Sequence, residues 1–137
     1  MPYFEDLKVG QRTELGSFTF TAELIKQFAR QFDPQPFHLD EEAGRASLFG
    51  GLAASGWHVG SVGMKLLIAK RRSEMEAAGG ASDEPPMGPS PGFRELKWLK
   101  PVLAGDTLAY ASEIVELRAS ASRPQWGILH AQTTATN

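Results

Sequence analysis

The sequence predicts an α+β domain built on an antiparallel sheet. Two observations carry this. Two stretches with helical apolar spacing stand together ahead of residue 80, around residues 22–32 and 55–77. One stretch of strand character precedes them, and three more follow, joined by turns. A chain of 137 residues is expected to form a single domain over 1–137. Its hydrophobic fraction of 42% is enough for one core at this size.

Tyr3 and Phe4 open a segment that reaches a turn at Gly10. Arg12 to Phe20 is rich in Thr and Phe and reads as a strand. Thr21 is placed to cap the following helix, with Glu23 in its positive first turn. Leu24, Ile25, Phe28, Ala29 and Phe32 give that helix one apolar face. It ends at Asp33-Pro34, because proline disfavours helical backbone in the residue before it. Asp33-Pro34-Gln35-Pro36-Phe37-His38 follows as a short loop stiffened by two prolines. Residues 39–48, acidic and then small, suit a short helical turn.

Small residues from Gly50 to Gly56 lead into the second helix, which Ser55 can cap and which runs to about Ala77. Val59, Val62, Leu66 and Ala69 fall on one face, and Met64, Leu67 and Ile68 widen it. Gly56, Gly60 and Gly63 cost about 1 kcal/mol each relative to Ala in a helix interior, so close approach of another backbone is expected there. Gly79 to Gly92 is a loop by composition. Its length implies a mobile segment or part of a binding surface. Three strands are expected after it: Phe93–Lys100, with Leu96 and Trp98 on one face, then Leu108–Leu117 and Trp126–Thr134.

A net charge of −2 and a pI near 5.9 give no basic excess for nucleic acid or anionic lipid. With no cysteines, disulfides and thiolate zinc sites are excluded. The three histidines, His38, His58 and His130, lack metal-ligand spacing. No apolar run approaches the ~20 residues of a membrane span, and the N-terminus lacks the pattern of a signal peptide. A cytoplasmic protein is expected.

Asp33 alone reads as an Asp at a helix end that hydrogen-bonds its own turn. His38 alone reads as a packed histidine. Together on one stiff loop, with the imidazole between Phe37 and Leu39, they form a pair that can share a water and move protons near neutral pH. The Gly50–Gly56 run has two readings. It either permits tight packing or leaves N–H groups at a helix start free to bind an oxygen that gains negative charge. Asp40, Glu41 and Glu42 read as a solvated helix start, Trp57 and His58 as packing residues, and His130 has no assigned role.

The run Asp33-Pro34-Gln35-Pro36-Phe37-His38-Leu39-Asp40 resembles the signature of the MaoC-like dehydratases, which include the (R)-specific enoyl-CoA hydratases. The segments Phe49–His58, Leu96–Val102 and Gly105–Leu108 fit in the same order, so the resemblance covers nearly the whole chain. It implies a hot-dog fold, with the sheet wrapped round the Ser55–Ala77 helix. Asp33 and His38 would be the catalytic pair, and the Gly56 N–H would polarise a thioester carbonyl. Gln35, Phe49, Gly51, Ser55, Trp57 and Ser61 are the candidate substrate contacts; Gln35 stands where many hydratases carry Asn. The implied activity is a hydro-lyase acting on a 2-enoyl-CoA or a 3-hydroxyacyl-CoA, or on the same acyl group held by acyl-carrier protein. No metal or other cofactor is implied. The alternatives are a thioesterase on the same fold and a non-catalytic acyl-CoA-binding module. The implied assembly is a homodimer joined edge to edge, with Asp33 of one chain beside Gly56 of the other.

Overall fold

The computed structural model describes residues 3–80 and 87–137. The order of elements is β1 (Arg12–Thr19), α1 (Ala22–Phe32), α2 (Pro36–Leu39), α3 (Glu41–Ala46), α4 (Gly56–Ala77), β2 (Thr107–Ala119) and β3 (Gly127–Thr136). A single 3-10 turn at Phe4–Asp6 precedes them. The α+β expectation holds. Among the described residues, no helix is long and apolar enough to cross a membrane.

Local signals set the first helix. The Thr21 hydroxyl accepts the Leu24 N–H at 3.2 Å, and the helix stops at Phe32, ahead of Asp33-Pro34. Ile25 and Ala29 on its inner face are fully buried. Two short helices then follow where the sequence suggested a loop and one turn. Pro36 sits at the start of α2, where its fixed φ favours helix and its missing N–H costs nothing. Asp40 caps α3 by accepting the Ala43 N–H at 2.9 Å, and Glu41 pairs with Lys26 of α1 at 2.6 Å.

The sheet is antiparallel, in the order β1-β2-β3. Its register shifts between Glu14 and Gly16, where Gly16 has φ 104°, and again between Ile114 and Glu116. The second irregularity breaks the alternation along β2. Leu108 and Tyr110, before it, face the core, and Val115 at the irregularity is exposed, as its odd position already requires. The core joins Leu15 and Phe20 with Ile25, Leu52, Val62, Leu108 and Tyr110. Burial of each such large side chain contributes about 1.5–3 kcal/mol. Tyr110 also donates its hydroxyl to the Val59 carbonyl at 2.8 Å, which fixes β2 on α4. Burial pushes the Tyr110 phenol pKa up, so this donor keeps its proton.

Two expectations need correction, and a third is only partly covered. Phe93–Lys100 is not a strand. It pairs with no strand among the described residues, and Glu95 at φ 57° breaks its extended path. Its aromatic side chains gather instead on the start of α4, with Trp98 and Phe93 edge-on to Trp57 at 5.4 and 6.4 Å. The glycines of α4 admit side chains, not backbone. A Cβ at Gly56 would overlap the Trp98 indole, one at Gly63 would lie 3.3 Å from the Tyr110 ring, and one at Gly60 would meet open space. The close backbone approach occurs at Gly44, where a Cβ would collide with the main chain of Gly51 and Leu52. Finally, residues 81–86 of the expected mobile loop lie outside the described residues; Gly79 and Gly80 close α4 at positive φ, and 87–92 have no regular structure.

Candidate active site

The residues between α1 and α4 form a small frame. Segment 52–54 runs between α2 and the 102–104 turn. The Ala53 N–H donates to the Phe37 carbonyl at 3.0 Å, the Ala54 N–H to Val102 at 2.7 Å, and the Ala104 N–H to Leu52 at 2.9 Å. This frame holds His38. Its Nδ1 lies 2.6 Å from the Ala53 carbonyl. A carbonyl only accepts, so Nδ1 carries a proton and Nε2 is left to face the site. The ring is buried, edge-on to Phe37 at 4.6 Å and near-parallel to Phe49 at 6.3 Å. Phe49 is thus a wall of the histidine pocket.

Asp33 caps the end of α1 and turns its side chain to the same place. Its Oδ2 lies 3.3 Å from His38 Nε2, and its Oδ1 accepts the Gln35 amide at 2.6 Å. Partial burial raises the Asp33 pKa, but the Gln35 amide, the Ser55 hydroxyl and the His38 charge together outweigh it and hold the carboxyl below its ordinary 3.8. Asp33 is therefore a carboxylate at neutral pH, next to an imidazole that can carry or release a proton at Nε2.

Ser55 occupies the N-cap position of α4, as its type suggests, but its hydroxyl does not cap the helix. It is buried beside Asp33, and its Oγ makes no well-formed hydrogen bond. That hydroxyl is free to hold a small polar guest on the carboxylate. The next residue, Gly56, opens the 22-residue helix α4, whose N-terminal end is positive. The Trp98 indole lies against Gly56 on the other side. Asp33, His38, Ser55 and the start of α4 are thus brought together within one chain.

The remaining candidates divide. Gln35 reaches Asp33. Trp57 is half exposed at the helix start and meets Phe93 and Trp98 edge-on. Ser61 lies one turn further on, with its hydroxyl proton donated to the Trp57 carbonyl at 2.7 Å. Gly51 is set by its packing on Gly44. His130 lies on the sheet, with Arg94 and Glu116. Sequence reasoning named Ser55, as a helix cap and a candidate contact, and missed the Ala53 carbonyl and the Trp98 indole against Gly56.

Two shallow grooves of about 290 Å³ each lie beside this constellation, between α1 and α4, not over it. One is lined by Phe28, Phe32, Trp57 and Ser61; the other shares Phe28 and Ser61 and continues past His58 to Lys65. The whole arrangement can hold a water on a carboxylate, pass its proton to an imidazole, and offer a positive helix end to an oxygen that gains charge.

A family model described as MaoC like domain matches residues 6–134. A crystal structure of a MaoC-like dehydratase from Rhodospirillum rubrum is similar over 100% of this chain and 86% of its own, with 39% identity and a TM-score of 0.81. The monoamine oxidase regulatory protein from Archaeoglobus fulgius is similar over 99% and 84%, at 26% identity and a TM-score of 0.79. The Bacillus subtilis (strain 168) protein YdeM, uncharacterized, is 28% identical over 125 residues, 91% of this chain and 80% of its own.

Proposed function

This chain belongs to the MaoC-like domain family and has the hot-dog fold, and from that premise we propose that it is a hydro-lyase adding water across a 2-enoyl thioester, or removing it from a 3-hydroxyacyl thioester. The observation that carries this reading is the 3.3 Å contact between Asp33 Oδ2 and His38 Nε2 beside the start of α4. The MaoC-like dehydratase from R. rubrum, alike over the whole chain, supports the same reaction class.

In the hydration direction, the Asp33 carboxylate binds a water, with the Ser55 hydroxyl as its second partner. As the water oxygen forms its bond to C3, Asp33 takes its proton. The C2–C3 π electrons move toward the carbonyl, and the thioester oxygen gains negative charge. The Gly56 N–H, at the positive end of α4, stabilises that charge. Protonated His38 Nε2 then delivers a proton to C2 as the carbonyl re-forms. Asp33 ends protonated and His38 neutral, and one transfer across their contact resets the pair. Dehydration runs the same steps in reverse. No metal or redox cofactor enters this scheme, because the thioester carbonyl itself acidifies C2. Whether the acyl group rides on coenzyme A or acyl-carrier protein does not alter these steps.

Incubation with crotonyl-CoA tests the reading. Loss of the enoyl absorbance without release of free thiol is the expected result. Free thiol would make the protein a thioesterase, and tight binding without either change would make it a silent acyl-CoA-binding module.

A further inference from the structure

His58 is a buried imidazole that the proposed mechanism does not use. It is 7% exposed. Its ring lies flat on Phe28, 4.6 Å away and within 5° of parallel, and edge-on to Phe20 at 4.9 Å. Its Nδ1 is buried without a hydrogen-bond partner. An orphaned lone pair costs less than an orphaned N–H, so Nδ1 holds the lone pair and Nε2 the proton. Burial lowers the pKa of His58, which keeps the ring neutral. The result is one N–H donor, with no acceptor among the described residues, in the wall of the groove between α1 and α4.

That groove is apolar at Phe18, Phe28 and Val62, and polar at Gln31 and Lys65. Among the described residues, no Asp or Glu lines it. At its near end, through Phe28 and Ser61, it meets the groove of Phe32 and Trp57, next to Asp33 and Gly56. A thioester placed with its carbonyl at Gly56 therefore sends its acyl chain past His58 toward Lys65. A methyl-ended chain would leave the His58 donor without a partner. A chain ending in a carboxylate would give it one, and would meet the lysine cation instead of a carboxylate's repulsion.

We infer that the α1–α4 groove is an acyl subsite selective for a short chain ending in a carboxylate, read by the His58 Nε2–H and by Lys65. This rests on the acyl-thioester reading above and names its substrate class, the monothioester of a short dicarboxylic acid. Binding of saturated analogues tests it without turnover. Glutaryl-CoA should bind wild-type protein at least ~10-fold tighter than valeryl-CoA, the ratio expected for one charge-assisted hydrogen bond. His58→Phe, which keeps the aromatic packing, and Lys65→Met, at an exposed position, should each cut that ratio to near unity. Equal or tighter binding of valeryl-CoA, or a ratio unchanged in a folded variant of either residue, would overturn the subsite. Hydration of fumaryl-CoA and crotonyl-CoA is read separately. If neither is hydrated while the binding preference persists, the hydro-lyase reading fails and the subsite stands. If crotonyl-CoA is hydrated and no binding preference is found, the reverse holds.

Discussion

At the scale of single residues, the site sets tasks that substitution can separate. Asp33→Asn cannot take a proton from water, and His38→Ala cannot give one to C2. Each should lower kcat on crotonyl-CoA at least ~100-fold with the fold intact by circular dichroism, and wild-type turnover in either would remove the mechanism. Ser55→Ala is subtler. Its hydroxyl is buried and caps no helix N–H, so its loss should cost little stability. Ser55 helps to hold the Asp33 pKa down. Removing it should lower kcat and move the acid limb of the kcat/KM profile to higher pH. An unshifted limb would mean that the hydroxyl does not act on Asp33. The same lowered pKa fixes an acid dependence of stability. Because the folded value lies below 3.8, unfolded chains bind more protons than folded ones in that range. The contribution is full above 3.8 and is lost as pH falls through the lowered folded value. Urea titrations at neutral and acid pH should show a larger loss in wild type than in Asp33→Asn.

The start of α4 is where an element, not a residue, does the chemistry. Its first residue must be glycine for a steric reason, because the Trp98 indole occupies the place of a Cβ. Gly56→Ala should destabilise the protein by roughly 1–3 kcal/mol, as overpacking does. In a Trp98→Ala background most of that cost should vanish, a coupling that a double-mutant cycle by urea unfolding reads directly. Equal costs in both backgrounds would place the strain elsewhere. This pair also marks the limit of what the sequence could say. Helix α1 is legible to the residue, because the Thr21 cap and the Pro34 stop are local signals. The bounds of α4 are legible for the same reason. The Asp33-to-His38 spacing suggested a pair, but the Ala53 carbonyl that orients the ring comes from another segment and left no mark. Helix α2 was hidden because one turn of four residues has no period to detect. Phe93–Lys100 misled because a strand is defined by its neighbour, and apolar spacing within the segment cannot supply one.

At the scale of the whole molecule, the sheet and its surroundings are unfinished in one chain. In the order β1-β2-β3, both outer strands present an edge unpaired among the described residues, and exposed edges are surfaces that proteins cover. Segment 93–100 pairs with no strand among the described residues, yet carries Phe93, Leu96, Trp98 and Leu99 at 44% to 87% exposure. Clustered exposed apolar side chains mark an interaction surface, and a two-fold dimer is the commonest way to cover one. Sedimentation should therefore find a homodimer. Leu99→Lys, at a position 87% exposed and so harmless to the fold of one chain, should shift it toward monomer; an unchanged sedimentation coefficient would place the interface elsewhere. The dimer would not, however, share its chemistry between subunits. Asp33, His38, Ser55 and the start of α4 meet within one chain. Mixing Asp33→Asn subunits with Gly56→Ala subunits should then restore no activity, since every site in the mixture carries a defect. Recovery of about a quarter of the wild-type rate, the share expected when half the chains pair as heterodimers with one intact site each, would show that the two residues serve one substrate from different chains.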